Sequence, residues 1–481
     1  MLNVLFKLVF LCLSLAVLVP VSANNLTKTQ TDTLLQQLSD QDVRSFDAFL
    51  SQVSSLNPDL GAITGVYRSG QVMAAQQQAE LFRLLGIYTR VRYAAEAQQV
   101  LAELVAIPTF LDDSVAQYDN PAFHQIAARL EALAVEFGLS FRNVDNRIYE
   151  ITLPGAPADN TELVALHAHA DVVPANAADW VLDDGTQLDP FTLTEIDGRL
   201  HGRGAEDNKN GILAVMYAMR VIAQEQLPLQ RTLRLLVDTT EETTGEAMPY
   251  YLERNPLPDF NIALDGGYPV IIAEKGYGTL LARLLDFLYE SGHVVYMKDN
   301  HLVDAILYAV SNFGLDYTGR QLGIGFTDDF MGPLTASLTY VKVDNTGMEL
   351  ITNLRVPKGR DIGELKQEIL DRLAEWSAMS NLPLDLELDI AEPMFRNPEG
   401  QWIQTLLDVA TENLALPREF MSSDGATSIH DLPNGVQFGL AMPGIKYTGH
   451  TDNEFKTVEQ FQLDLQIVTE MLARIGTLEA M

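Results

Sequence analysis

The stretch LVALHAHAD, residues 163–171, decides the fold of this chain. Its first four residues are a continuous apolar run, which is typical of a strand buried on both faces of a sheet. Comparable apolar runs occur at 233–237 and 262–264, and a helical pattern at 211–223 separates the first two runs. Strand, helix and strand in alternation predict an α/β domain with a mixed, largely parallel sheet flanked by helices.

Acidic and histidine side chains follow each of these runs within a few residues. His169 and Asp171 follow the first run, Glu241 and Glu242 follow the second, and Asp265 follows the third. In open α/β sheets, ligands bind beyond the carboxyl ends of the strands. We therefore expect these side chains to meet at one edge of the sheet.

Two further residues, Asp207 and His450, complete a set of nitrogen and oxygen donors. Zinc accepts imidazole and carboxylate ligands when no thiolate is present, and the only cysteine of the chain is Cys12. A pair of zinc ions requires a bridging carboxylate and a second carboxylate that takes a proton from water. The donor set contains enough groups for such a site.

Five motifs in order carry a resemblance to a known family. They are HADVVP at 169–174, GRGAEDNK at 202–209, DTTEETTG at 238–245, LDGGYP at 264–269 and GHTDNE at 449–454. Together they resemble the aminoacylase/carboxypeptidase/dipeptidase family of two-zinc metallopeptidases, and within it the bacterial dipeptidases. An ordered series of this kind is far more specific than any one of its members.

The resemblance implies a ligand set for two Zn²⁺ ions per subunit. His169 and Asp265 would bind the first ion, Glu242 and His450 would bind the second, and Asp207 would bridge the two. Mixed nitrogen and oxygen ligation also admits Co²⁺ or Mn²⁺, although zinc is favoured by affinity.

Two further residues receive catalytic roles. Glu241, next to a ligand but not itself a ligand, would act as general base toward the attacking water. Asp171, two residues beyond His169 on the same side of an extended segment, would accept the other N–H of that histidine and orient its ring.

The resemblance also suggests residues that bind substrate. Arg355, within NLRVP at 353–357, would clamp the substrate carboxylate, and an ordinary surface ion pair is the alternative reading. SDGAT at 423–427 lies where the family has a glycine-rich substrate loop, and a plain turn would explain it equally well. His293 is the nearest candidate for the lid histidine that reaches the active site in this family.

Sequence character divides the chain into five segments. Residues 1–23 have a lysine, an apolar run and a small-residue end, and predict a signal peptide for export to the periplasm or secretion. Residues 24–92 predict a helical N-terminal extension with a helical pattern at 74–85, and a separate helical pattern at 94–106 follows it. The catalytic domain would comprise 93–275 and 394–481.

The intervening residues, 276–393, predict a smaller inserted α+β lid domain. Strand patterns at 334–343, 350–356 and 384–388 and a helical pattern at 362–376 support it. The interval 280–301 is short for this family and indicates a shortened lid. Homodimers are compatible with the family, but a shortened lid argues against pairing through it.

Composition restricts the partners. A formal net charge of −33 disfavours nucleic acid. No segment after the leader is apolar enough to cross a membrane. We expect a small peptide as substrate.

The predicted reaction is hydrolysis of the amide bond of dipeptides. The motifs define the metal ligands and leave the substrate pocket open. An N-acyl-amino-acid amidohydrolase or a carboxypeptidase of the same family is therefore an alternative, as is a catalytically impaired protein that binds metal or peptide.

Overall fold

The computed structural model describes residues 26–38, 43–155, 160–285, 297–314, 316–344 and 347–481. The predicted leader, 1–23, and His293 lie outside these residues, so the signal peptide and export stay predictions. Within the described ranges, no helix combines the length and the apolar character that a bilayer span requires.

The described residues form eleven α-helices and two short 3₁₀ helices, at Gln117–Asp119 and Ala177–Asp179. The α-helices, in chain order, are α1 (Lys28–Leu38), α2 (Phe46–Leu56), α3 (Pro58–Ser69), α4 (Ala75–Val105), α5 (Pro121–Phe137), α6 (Lys209–Gln224), α7 (Ala247–Leu252), α8 (Met297–Asn312), α9 (Ile362–Ser380), α10 (Gln401–Leu414) and α11 (Val458–Thr477).

Twenty strands accompany them in the same residues. They are β1 (Ser140–Val144), β2 (Ile148–Leu153), β3 (Leu163–His169), β4 (Thr194–Ile196), β5 (Arg199–His201), β6 (Thr232–Asp238), β7 (Phe260–Ala263), β8 (Gly266–Gly267), β9 (Ile271–Glu274), β10 (Gly276–Leu285), β11 (Thr327–Asp328), β12 (Gly332–Pro333), β13 (Thr335–Asp344), β14 (Gly347–Val356), β15 (Leu384–Ile390), β16 (Met394–Phe395), β17 (Met421–Ser423), β18 (Gly435–Gln437), β19 (Leu440–Ala441) and β20 (Phe455–Thr457).

The largest sheet has nine strands in the order β1-β2-β6-β3-β7-β18-β9-β16, with β17 also paired to β9. Its centre, β6, β3, β7 and β18, is parallel, and antiparallel pairs flank it on both sides. Helices cover this sheet, and a second domain is inserted between β9 and β16. The predicted fold class is therefore confirmed.

Strand β3 shows why its apolar run forms a buried strand. Val164 and Leu166 point into the main core beside α6, whereas Ala165 points into a smaller core under α7. Successive strand residues face opposite sides of a sheet, so a strand covered on both sides must be apolar at every position.

The N-terminal helices share the main core of the catalytic domain. Helix α4 runs without interruption for 31 residues, so the predicted boundary between residues 92 and 93 is wrong. The two helical patterns at 74–85 and 94–106 belong to one helix. Gly86 lies between them, and a Cβ atom there would lie 2.4 Å from the carbonyl oxygen of Gln466 in α11. The glycine thus marks a close helix crossing and not a helix end.

A buried ion network joins the N-terminal segment to the last two helices. Arg83 in α4 lies 2.7 Å from Glu470 in α11 and 2.6 Å from Glu412 in α10. Its guanidinium also donates to the backbone carbonyl of Leu26, and the amide of Leu26 donates to Glu80. Burial raises the pKa of Glu80 to about 7.

The inserted domain contains a four-stranded antiparallel sheet in the order β13-β14-β10-β15. Helices α8 and α9 pack against it, and one apolar core joins the helices to the sheet. The chain order β10-α8-β13-β14-α9-β15 is that of a split βαβ unit, also called ferredoxin-like. We refer to this unit as the lid domain.

Replacing Arg83 by leucine should lower the free energy of unfolding by at least about 2 kcal/mol, because it removes one of the two arginines that pair with the buried carboxylate of Glu470, the other being Arg474. Denaturant unfolding measures this change. Arg129→Leu breaks an ion pair with Glu103 in which both side chains are substantially exposed, and should cost less than about 1 kcal/mol. Equal losses in the two variants would contradict the role of the network.

Candidate active site

Three neighbouring parallel strands deliver polar side chains to one edge of the main sheet. His169 is the last residue of β3, Glu241 and Glu242 follow the end of β6, and Asp265 follows the end of β7. Strands β6, β3 and β7 are adjacent and run in the same direction, so their carboxyl ends share that edge.

Asp207 and His450 join these residues and create two groups of potential metal ligands. In the first group, His169 Nε2 lies 2.9 Å from Asp207 Oδ1 and 3.8 Å from Asp265 Oδ2. In the second, His450 Nε2 lies 2.6 Å from Glu242 Oε1 and 3.0 Å from Asp207 Oδ2. Asp207 belongs to both groups, with one oxygen directed at each histidine. Within each group, the donor atoms lie within 4.8 Å of one another.

The loop that carries Asp207 is held by a buried carboxylate. Glu454 accepts hydrogen bonds from the amides of Glu206 at 2.8 Å, Asp207 at 3.0 Å and Gly204 at 3.1 Å. Arg203 lies 2.7 Å from the same carboxylate and balances its charge. Glu454 was not among the predicted site residues, although it is the last residue of the GHTDNE motif.

Asp171 supports the segment that carries the two glutamates. Its carboxylate accepts the amide hydrogens of Glu241 at 3.2 Å and of Glu242 at 2.9 Å. The Nδ1 atom of His169 lies 3.0 Å from the backbone carbonyl of Asp171 and 3.5 Å from its carboxylate. The nearer acceptor for the histidine is therefore the backbone oxygen and not the carboxylate that the sequence suggested.

The carboxylates at this edge crowd one another. Burial raises the pKa of Asp265 to about 6, with a further contribution from the charge of Asp207. Burial, together with the charge of Asp265, also raises the pKa of Glu241 well above its ordinary value. Ionised carboxylates so close together are unfavourable, and bound cations would relieve their repulsion.

His450 and Tyr447 reach the site from a loop between β19 and β20. His450 has a φ of +62°, a left-handed conformation that is uncommon outside glycine and is often found at functional sites. Hydrogen bonds with Asp207 and Glu242 raise the pKa of His450 to about 10. Tyr447 donates its hydroxyl hydrogen to Asp207 Oδ2. Nothing in the sequence pointed to Tyr447 beyond its place three residues before His450.

These residues face a cleft of about 520 Å³. Glu241 lines it beside Glu242 and Asp265, but is in neither ligand group. The cleft wall also includes four of the five residues at 423–427: Ser423, Gly425, Ala426 and Thr427.

The predicted substrate-binding residues have different outcomes: residues 423–427 contribute to the cleft wall, and Arg355 does not. Arg355 lies half-buried on β14, opposite Tyr277 of β10 in the lid-domain sheet, and does not line the cleft. His293 falls outside the described residues. The substrate roles of both stay predictions.

A sequence profile of peptidase family M20/M25/M40 matches residues 165–474, which is most of the chain and includes every residue of the two ligand groups. The chain belongs to this family. This M20-family protein is accordingly a hydrolase of the metallopeptidase class, and the family resemblance seen in its sequence is confirmed.

Relatives of known name agree with this placement. The M20-family protein is 28% identical over 445 residues to "Putative dipeptidase YtjP" of Bacillus subtilis (strain 168), a match that covers 74% of this chain and 92% of that protein. It is 24% identical over 394 residues to Beta-Ala-Xaa dipeptidase of Lactobacillus delbrueckii subsp. lactis, covering 63% of this chain and 80% of that protein.

A solved structure shows the same fold. The crystal structure of human carnosine dipeptidase 1 aligns with a TM-score of 0.63 and 16% sequence identity. The alignment covers 83% of this chain and 99% of that one. The likeness extends into both domains, because the residues outside 276–393 make up only about three quarters of the chain.

The raised pKa of Asp265 predicts a pH-dependent stability change in the metal-free protein. The carboxyl group contributes full stability only below its ordinary pKa near 3.8, and that contribution is lost as the pH rises through about 6. Asp265→Asn should therefore stabilise the metal-free protein at pH 7 by about 1 to 3 kcal/mol, and the gain should vanish near pH 4.

Thermal unfolding from pH 4 to pH 8, with chelator present, measures this effect. Asp113→Asn, at an exposed position, is the control and should show no such trend. A gain for Asp265→Asn that does not change with pH would contradict the proposed charge crowding.

Proposed function

We propose that this protein hydrolyses the amide bond of dipeptides with the help of two divalent cations, zinc being favoured. One observation carries the proposal: two ligand groups share Asp207, and all of their members except the buried His169 line one cleft together with Glu241.

The donor atoms suit such ions. His169, Asp207 and Asp265 would hold one cation, and Asp207, Glu242 and His450 would hold the other. All donors are imidazole nitrogen or carboxylate oxygen, which fits Zn²⁺ and also Co²⁺ or Mn²⁺. Bound cations would polarise the scissile carbonyl and lower the pKa of a water molecule.

Glu241 is the proposed general base. Its carboxylate lines the cleft next to the ligands, where it would take a proton from the attacking water and pass it to the leaving amine. The hydrogen bonds from the backbone of Glu241 and Glu242 to Asp171 set the position of this segment.

The size of the cleft and the identity of the relatives support a dipeptide as substrate. A volume of about 520 Å³ is within the range of small-molecule sites. The two relatives at 28% and 24% identity both carry dipeptidase names.

A substrate panel on the zinc-loaded protein tests the proposal. We expect hydrolysis of free dipeptides and little or no hydrolysis of N-acetylated amino acids or of longer peptides. Turnover confined to the acetylated series would indicate an amidohydrolase, and release of single residues from longer peptides would indicate a carboxypeptidase. Bound metal without any turnover would favour a binding protein.

Replacing Glu241 by glutamine should lower kcat by about 10²- to 10⁴-fold, because an amide cannot take the proton. Metal content, measured by elemental analysis, should not change, since Glu241 is in neither ligand group. Glu246→Gln, at an exposed position nearby, should keep full activity. Loss of metal from Glu241→Gln would show that Glu241 is a ligand and not the base.

A further inference from the structure

One wall of the cleft is formed by residues 423–427, which we call the cleft loop. Four of its residues line the cleft that holds the metal ligands, and Asp424 is the exception. The Asp424 side chain is 72% exposed and lies outside the cleft lining. The loop follows β17, which pairs with β9, and it shares no residue with the ligand groups.

Glu274, the last residue of β9, holds the far end of the cleft loop. Its fully buried carboxylate accepts hydrogen bonds from the Thr427 hydroxyl at 2.9 Å and from the Thr427 amide at 3.3 Å. Nδ1 of His430 lies 2.7 Å away, and the side-chain amide of Gln437 donates at 2.5 Å. Four hydrogen-bond donors thus surround this buried carboxylate and stabilise its negative charge.

Lys275, the next residue, holds the near end. Its ammonium group lies 2.7 Å from Asp424 and donates to the carbonyl oxygen of Pro333 at 2.6 Å. Its backbone amide donates to the carbonyl oxygen of Ser423 at 3.1 Å. Only 2% of the Lys275 side chain is exposed. Pro333 belongs to the hairpin β11–β12 of the lid domain, so this lysine bridges the cleft loop and the lid domain.

Both crossings between the domains converge on this cluster. The chain enters the lid domain at Gly276, directly after Glu274 and Lys275. It returns after β15, where the carbonyl oxygen of Glu392 lies 2.7 Å from Nε2 of His430. His430 thus joins the returning chain to Glu274. A second contact reinforces the bridge, since the hydroxyl of Ser422 donates to the carbonyl oxygen of Phe330 in the lid domain.

We propose that Glu274 and Lys275 are positioning residues, which fix the cleft loop in the place where it contacts the substrate and couple that place to the lid domain. This inference rests on the proposed function and adds to it a means of substrate recognition. A loop that is already ordered spends less conformational entropy when substrate binds. Weakening the contacts that hold the cleft loop should therefore raise KM. The value of kcat should change little, because it depends on Glu241 and the metal ligands, which Glu274 and Lys275 do not contact.

Asp424→Asn is the most direct test. The side chain is exposed and does not face the cleft, so the variant should fold and cannot lose a direct substrate contact. We expect a rise in KM of about threefold to tenfold with kcat within about twofold of the wild type. Hydrogen exchange over residues 421–430 should be faster than in the wild type, because the near end of the loop loses its ion pair with Lys275.

Two comparisons separate positioning from a general loss of stability. Asp32→Asn removes a similar lysine–aspartate pair, Lys28 to Asp32 at 2.8 Å, on the N-terminal helix α1, and should change neither readout. Lys275→Met should resemble Asp424→Asn with a larger effect, since it also breaks the contact to Pro333. The double variant should match Lys275→Met alone, because both substitutions remove the same contact.

The inference fails if Asp424→Asn shows wild-type KM and wild-type exchange over 421–430, or if the effects of the two substitutions simply add. A wild-type protein without activity on any dipeptide would refute the proposed function. The exchange measurement would still decide whether Lys275 holds the cleft loop in place. Glu274→Gln disturbs a fully buried group, so the test relies on the exposed partner instead.

Discussion

Crowded carboxylates at the carboxyl ends of β6, β3 and β7 are the constraint on which the rest of this structure depends. The parallel order of these strands places Glu241, Glu242 and Asp265 at one edge, and Asp207 is held against them. Burial, together with repulsion between these like charges, raises the pKa of Asp265 and of Glu241. The negative charge concentrated at this edge of the sheet would attract divalent cations, which a metallopeptidase requires.

The candidate ligands are held by a second set of buried carboxylates that do not line the cleft. Asp171 fixes the backbone of Glu241 and Glu242, and Glu454 fixes the loop of Asp207. In both cases, the carboxylate accepts hydrogen bonds from backbone amides, so it fixes the position of the main chain as well as that of the side chains. Ligand positions are thereby set by the folded protein before any ion binds, which reduces the reorganisation that metal binding would otherwise require.

A buried carboxylate also holds a distant segment of the chain where the two domains meet. Glu274 receives four hydrogen bonds from the segment 427–437, and its neighbour Lys275 contacts both the cleft loop and the lid domain. The buried network around Arg83 similarly joins the N-terminal helices to α10 and α11. Buried charges in this protein are therefore paired at junctions between segments that are distant in sequence, where apolar packing alone would specify the geometry less sharply.

The sequence by itself determined the local elements and identified the candidate ligand residues. Apolar runs at 163–166 and 233–237 predicted β3 and β6, and the rule that parallel strands end at one edge brought His169, Glu242 and Asp265 together. Only the tertiary structure decided that α4 is continuous. Gly86 leaves room for the backbone of α11, which lies some 380 positions further along the chain. The tertiary structure likewise decided the supporting roles of Glu454, Tyr447 and Glu274, whose partners are more than a hundred residues distant. Periodicity and motifs report on neighbours along the chain, whereas a hydrogen bond to a distant segment leaves no pattern in the sequence around either partner.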